Sequence, residues 1–278
     1  MKTRKKKEVK MKPKTYVAII LDQSGSMTKT KAQAVQGYNE QVQQMKLNAK
    51  DQDIFCSLVT FNGEVFEHLW CEPADKLTEA SVEDYCTEGS TALRDAVGYT
   101  IDKLKKTTDD KEDVAYLVVI ISDGEENTSV HYTVDALREI KDSVDRTGKW
   151  TFTYMGCDER YLKKVASEMN IPISNVARWS NDTPELAYRG MRQNCTKLRG
   201  YYKNRAKGET KQACVYSADV HSLADFTEED SPLPDYNNIV TPDNPLPLKN
   251  SVNMNILNDG HKSVCGASPF KNSTSVTW

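Results

Sequence analysis

The eight residues Val114-Ala115-Tyr116-Leu117-Val118-Val119-Ile120-Ile121 contain no polar alternation. A strand with one wet face alternates apolar and polar residues, so an unbroken apolar run reads as a strand covered on both faces. Such a strand belongs at the centre of a mostly parallel sheet with helices packed on either side. The run Tyr16 to Leu21 has the same character. What lies around the two runs supplies the helices. Val35, Tyr38, Val42 and Met45 fall at steps of three and four and predict a helix over about Lys29–Leu47. Leu93, Ala96, Val97, Ile101 and Leu104 mark a second helix, which ends in lysines that suit its C-terminal dipole.

The remaining chain repeats the pattern. Asp53 to Phe61 reads as a strand, and Asn62-Gly63 as a two-residue hairpin turn into Val65–Trp70. Cys71 to Gly89 is polar and weakly periodic, a loop with a short helix near Ser81–Tyr85. Thr133 and Asp158 are placed to cap helices, with strands at Lys149–Met155 and Ser174–Trp179. Thr183-Pro184 has helix-start chemistry, and Tyr188, Met191, Cys195, Leu198 and Tyr202 keep helical spacing after it. The predicted fold class is therefore α/β: a Rossmann-like, doubly wound, mostly parallel sheet with one antiparallel edge strand. Ligands of such sheets bind at the C-terminal ends of the strands, where the strand order switches.

Both central runs end in an aspartate, and the first opens Asp22-Gln23-Ser24-Gly25-Ser26-Met27. Carboxylates and hydroxyls are hard oxygen donors, suited to Mg²⁺, with Ca²⁺ or Mn²⁺ as alternatives. Gly25 is read as the residue that lets the backbone curl so that Asp22, Ser24 and Ser26 face one point. A plain helix cap at Asp22 or Ser24 is the competing explanation. Glu88-Gly89-Ser90-Thr91-Ala92-Leu93 adds a threonine at a glycine turn before a helix, and Ser122-Asp123-Gly124-Glu125-Glu126 adds the second strand-end aspartate.

In this order, D-x-S-x-S, G-S-T-A-L and S-D-G-E-E resemble the von Willebrand factor type A domain with its metal-ion-dependent adhesion site, over roughly Tyr16 to Tyr202. The resemblance implies that Ser24 and Ser26 contact the ion directly. It implies that Asp22 acts through a water or by holding the loop, that Thr91 binds directly or through water, and that Asp123 completes the set. Serine at position 122, where many relatives carry threonine, is expected to matter little. The resemblance further implies that a carboxylate of a partner protein fills the open coordination position, and that the last helix is a candidate moving element.

Composition bounds the remainder. The 38% apolar content and mean hydropathy of −0.64 leave part of the chain peripheral to a core. Three segments follow: a basic arm over 1–14, a domain over 15–205, and a polar, proline-rich extension over 206–278. The extension is either a flexible tail or a strap across the domain or a partner, since Ile239, Val240, Leu246, Leu248, Ile256, Leu257 and Phe270 are more apolar than a linker needs. The arm's lysines fit a solvated tail better than contact with nucleic acid or an acidic surface, because no aromatic residue interleaves them. The net charge of −3 gives no global pull toward nucleic acid.

No stretch approaches the roughly 20 apolar residues of a membrane span, and the arm lacks the h-region of a signal peptide. The seven cysteines form no C-x-x-C pair, which predicts a reduced, cytoplasmic protein without zinc ligation. Sequons at Asn127, Asn194 and Asn272 then carry no weight. His68, His131, His221 and His261 read as surface residues, and Glu125 and Glu126 as solvated carboxylates. No phosphate-binding loop, H-E-x-x-H or G-x-S-x-G occurs. The expected function is therefore a non-enzymatic, divalent-cation-dependent protein-binding module. The alternative is an accessory subunit beside a ring ATPase, and a Mg²⁺-dependent hydrolase is the weakest reading.

Overall fold

The computed structural model describes residues 12–108, 113–124, 126–179, 184–216, 269–270 and 273–278, with only the backbone of 184, 185 and 187. The basic arm up to residue 11, Glu125, Thr183, His221, His261, Cys265 and the prolines from Pro232 to Pro247 lie outside the described residues. In chain order the elements are β1 (Lys14–Asp22), α1 (Lys31–Asn48), β2 (Asp53–Phe61), β3 (Val65–Pro73), α2 (Leu93–Thr107), β4 (Val114–Ile121), α3 (Val134–Asp145), β5 (Trp150–Gly156), α4 (Glu159–Glu168), β6 (Val176–Arg178), α5 (Pro184–Ala206) and β7 (Thr274–Ser275). A 3₁₀ segment, Gly25–Thr30, joins β1 to α1.

The sheet runs β6-β5-β4-β1-β2-β3-β7. Pairs among β6, β5, β4, β1 and β2 are parallel, and β3 is antiparallel to β2. The mostly parallel, doubly wound α/β arrangement read from the sequence is the one observed. Outside β3 a two-residue strand from the C-terminus is added, also antiparallel.

Every residue of β4 is buried, so its uninterrupted apolar run serves both faces. Alternation decides which face each side chain fills. Leu117, Val119 and Ile121 join Val17, Ile19 and Leu21 against residues of α1 and α5, while Val118 and Ile120 join Ala18 and Ile20 against residues of α2, α3 and α4. Gly37 permits the close approach of α1 and α5, since a Cβ there would lie 2.9 Å from Met191 Sδ. The far end of α5 is pinned by Arg205, fully buried, which donates to Lys14 O at 3.2 Å and to Asp113 O at 2.7 Å and Oδ1 at 2.8 Å.

Several local readings are corrected. The hairpin turn holds three residues, because Phe61 pairs with Val65 and Asn62 N donates to Glu64 O across 2.9 Å. β3 continues to Pro73, beyond Trp70. Ser81–Tyr85 is a turn and not a helix, held from outside: Asn39 bonds both Ala80 N (2.7 Å) and Ala80 O (3.0 Å), while Leu77, Ala80 and Tyr85 are buried. The last strand is shorter than Ser174–Trp179, because a 3₁₀ turn occupies Ile173–Asn175.

Beyond α5 the chain does not leave the domain at once. Gln212 N bonds Thr151 Oγ1 at 3.0 Å, Val215 N bonds Asn175 Oδ1 at 2.8 Å, and Val215 and Tyr216 are buried. Phe270 is 8% exposed within the core of the α1 face, and β7 extends the sheet. Among the described residues every cysteine is free, and no helix is long and apolar enough to cross a membrane.

Candidate functional site

β1 and β4 are neighbours, in register to Leu21 and Ile121. From β1 the chain moves outward to β2, and from β4 it moves the other way to β5. The switch point therefore lies between their C-terminal ends, where Asp22 and Asp123 stand. The cap explanation for this loop is not realised: Ser24 occupies the N-cap position of the 3₁₀ segment without a side-chain capping bond.

The structure brings the five sequence-predicted residues together. Asp22 and Ser24 are buried, Thr91 is 4% exposed, Asp123 is half-buried and Ser26 is exposed. Ser24 Oγ lies 3.1 Å from Ser26 Oγ, and Ser26 Oγ donates to Asp123 Oδ1 at 2.7 Å. Asp22 Oδ1 accepts from Ser24 N at 2.7 Å, and Oδ2 accepts from Ser122 Oγ at 2.5 Å. Gly124 closes the circle. A Cβ added there would stand 3.3 Å from Ser26 Oγ, 3.5 Å from Thr91 Oγ1 and 3.6 Å from Asp22 Oδ2, so three side-chain oxygens surround the space a side chain would take.

Gly25 does not act as read from the sequence. Its φ is not positive, and a Cβ on it would meet Gly89 O at an ordinary 3.4 Å. Gly89, with φ of +74°, is the residue in the left-handed region, and its carbonyl accepts from Gly25 N at 3.1 Å.

Burial dominates the electrostatics of the two carboxyls. Burial pushes the Asp22 carboxyl up to about 6, against the opposing hydrogen bonds from Ser122 and Ser24. Burial also raises Asp123, despite its bond from Ser26. Two carboxylates held at a desolvation cost beside neutral hydroxyls fit a hard divalent cation, which would relieve that cost. Among the described residues no three His, Cys, Asp or Glu side chains converge, so hydroxyls are a necessary part of any ligand set here.

Four supporting groups escaped the sequence reading. Ser122, given little weight, holds Asp22 through its hydroxyl, a role a threonine would share. Tyr85, fully buried, donates its hydroxyl to the Asp22 carbonyl. Asn127 Oδ1 accepts from Thr91 N at 2.9 Å, and Asn127 N returns a bond to Thr91 O at 3.1 Å. Glu126 is not a solvated carboxylate: its side chain, 4% exposed, accepts from Arg94 N, Thr128 N, Ser129 N and Ser129 Oγ at 2.7–2.9 Å. The available signal was spacing, since Glu126 and Asn127 follow Asp123 within one turn of chain. Nothing in the sequence pointed to Tyr85. His68 is likewise no surface residue, with Nε2 2.7 Å from Thr60 Oγ1 and its ring against Phe270; burial lowers it to about 4.

The family model described as the von Willebrand factor type A domain matches residues 17–188, an interval that contains all five clustered residues. The chain belongs to the von Willebrand factor type A domain family. Solved structures similar to this vWA chain include proximal thread matrix protein 1 from the mussel byssus, at 15% identity and a TM-score of 0.43, covering 70% of this chain and 46% of that one. Another structure of that mussel protein is described as having a zinc-occupied MIDAS motif, at 16% identity and a TM-score of 0.42, covering 66% of this chain and 46% of that one. The PilB minor pilin from Streptococcus sanguinis is similar at 11% identity and a TM-score of 0.48, over 70% of this chain and 64% of that one. The vWA chain thus spans less than two thirds of each. No curated protein matches its sequence.

Proposed function

We propose that this vWA chain is a non-enzymatic protein-interaction module. Its Asp22, Ser24, Ser26, Thr91 and Asp123 hold a divalent cation, Mg²⁺ with Ca²⁺ or Mn²⁺ as alternatives, and an Asp or Glu of a partner protein completes the coordination. The observation that carries this reading is the ring of Ser26 Oγ, Thr91 Oγ1 and Asp22 Oδ2 around the bare Cα of Gly124, with Asp123 hydrogen-bonded into it.

When bound, the cation supplies a Lewis-acidic position for an incoming anion. The chain's own residues do the positioning. Asp22, with both oxygens engaged by Ser24 N and Ser122 Oγ, holds the first loop in shape and adds negative charge. Asn127 orients Thr91 through paired backbone and side-chain bonds. Ser26 is exposed, which leaves the outer side of the cluster open to a partner. Two aspartates neutralise a divalent ion but leave it short of strong ligands, the condition under which a third carboxylate is attracted.

The test has two steps. Calorimetric titration of the cation-free protein with MgCl₂ is expected to show one site, lost in Asp22→Ala with Ser24→Ala. Capture from a native lysate in Mg²⁺ and in EDTA is then expected to yield a partner retained only by the wild type with Mg²⁺. Absence of a Mg²⁺, Ca²⁺ or Mn²⁺ heat in the wild type refutes the cation site. Identical partners in all samples refute its role in binding.

A further inference from the structure

Phe270, Thr274–Val276 and Trp278 touch the supports of three separate site loops. Phe270 stacks obliquely on Tyr85, with ring centroids 5.3 Å apart, and also packs against Tyr38 at 5.9 Å and His68 at 5.7 Å. Tyr85 passes that contact directly to the site, because its buried hydroxyl donates to the backbone carbonyl of Asp22. Three and four residues after Tyr85, Glu88 N donates to Gln23 O at 2.9 Å and Gly89 O accepts from Gly25 N at 3.1 Å. The segment seated by Phe270 therefore grips the Asp22–Ser26 loop along its length and leads straight into Thr91.

Two further contacts reach the other loops. Phe66 pairs with Ser275 and Glu67 with Thr274, and Val276 N donates to Val65 O at 2.9 Å. This fixes the root of the Asn62–Glu64 turn, whose Asn62 O accepts from Ala92 N, the neighbour of Thr91, at 2.6 Å. Trp278 lies flat on His131, with centroids 4.0 Å apart and planes 15° apart. His131 belongs to the loop that carries Asn127, the partner of Thr91.

We infer that Phe270, Thr274–Val276 and Trp278 are positioning residues for the cation site, a clamp acting through Tyr85, the hairpin root and His131. This rests on the cation reading of the site proposed above. Burial of an aromatic ring would by itself stabilise the whole domain evenly; the contacts of this one converge on loops that hold Asp22 and Thr91. Residues that orient ligands from behind are worth about 10–100-fold in metal affinity.

The experiment uses the full chain and compares wild type with Phe270→Ala, Phe270→Leu and Trp278→Ala. Amide hydrogen exchange is followed in EDTA and Mg²⁺ affinity by calorimetry. In Phe270→Ala the amides of Gln23, Ser24 and Gly25 are expected to exchange about tenfold faster relative to those of β4, and Mg²⁺ to bind about tenfold more weakly, with Phe270→Leu restoring both. Trp278 is half-exposed, so its removal leaves the core intact, and it is expected to speed the Thr91 and Asn127 amides selectively. Should Phe270→Ala not fold, Trp278→Ala carries the test through the Thr91 and Asn127 amides. Site-loop and β4 amides accelerating by one common factor, with Mg²⁺ affinity unchanged, would overturn the clamp. Selective acceleration in EDTA with no cation binding in any variant would uphold the positioning and remove the cation reading instead.

Discussion

Replacing Asp22 by asparagine is expected to stabilise the cation-free protein, although it removes a central member of the site. Asp22 is fully buried, and its carboxyl is raised from 3.8 to about 6 chiefly by desolvation. A folded-state value above the unfolded one means that the folded protein holds this proton more tightly. The contribution to stability is then fully present below pH 3.8 and is lost as pH rises through about 6. A carboxyl held at about 6 in place of 3.8 weighs about 3 kcal/mol against the folded state at pH 7.5. Asparagine carries no charge but keeps one acceptor oxygen for Ser24 N, and its amide faces Ser122 Oγ, which can accept in turn; the rearrangement costs about 1 kcal/mol. Asp22→Asn is therefore expected to be about 2 kcal/mol more stable than wild type in EDTA at pH 7.5, and about equal to it or weaker near pH 4. Urea unfolding at the two pH values measures this directly. Saturating Mg²⁺ is expected to reverse the order, since it stabilises only a form that binds it. An Asp22→Asn protein less stable than wild type in EDTA at pH 7.5 refutes the argument that this buried charge waits for a counter-ion.

Gly124→Ala places a methyl group among Ser26 Oγ, Thr91 Oγ1 and Asp22 Oδ2 at 3.3–3.6 Å; Mg²⁺ affinity by calorimetry is expected to fall at least about tenfold, with stability changed by less than about 1 kcal/mol. Glu126→Ala strips the acceptor from three half-buried backbone amides and is expected to cost about 2 kcal/mol in urea unfolding, with protease cleavage appearing between Gly124 and Tyr132. His68 is lowered from 6.5 to about 4, so its share of stability is full above pH 6.5 and is lost as pH falls toward 4, up to about 3 kcal/mol. His68→Gln should flatten the stability–pH curve over that interval, and an unchanged slope would refute the assignment.

Much of the fold was legible because it rests on local signals that tertiary context did not oppose. The unbroken run of β4, the cap at Thr133 that accepts from Ala136 N, and the cap at Asp158 that accepts from Arg160 N are realised as read. Misreadings fall where long-range partners decide conformation. From its own residues Ser81–Tyr85 reads as a helix, but Asn39, some forty positions earlier, sets the chain beside it. His68 reads as a hairpin surface residue, but Phe270, some two hundred positions later, packs against its ring.

At the site the division follows the same physics. By itself the sequence determined which oxygens the chain could offer and that two aspartates end buried strands, since residue type and apolar runs are local properties. Only the tertiary structure decided that Ser26, Thr91 and Asp22 surround Gly124, that Ser122 and Tyr85 restrain Asp22, and that Phe270 seats Tyr85. Those contacts join residues far apart in the chain, and no periodicity or spacing encodes them, because they exist only once the sheet has brought its loops to one edge.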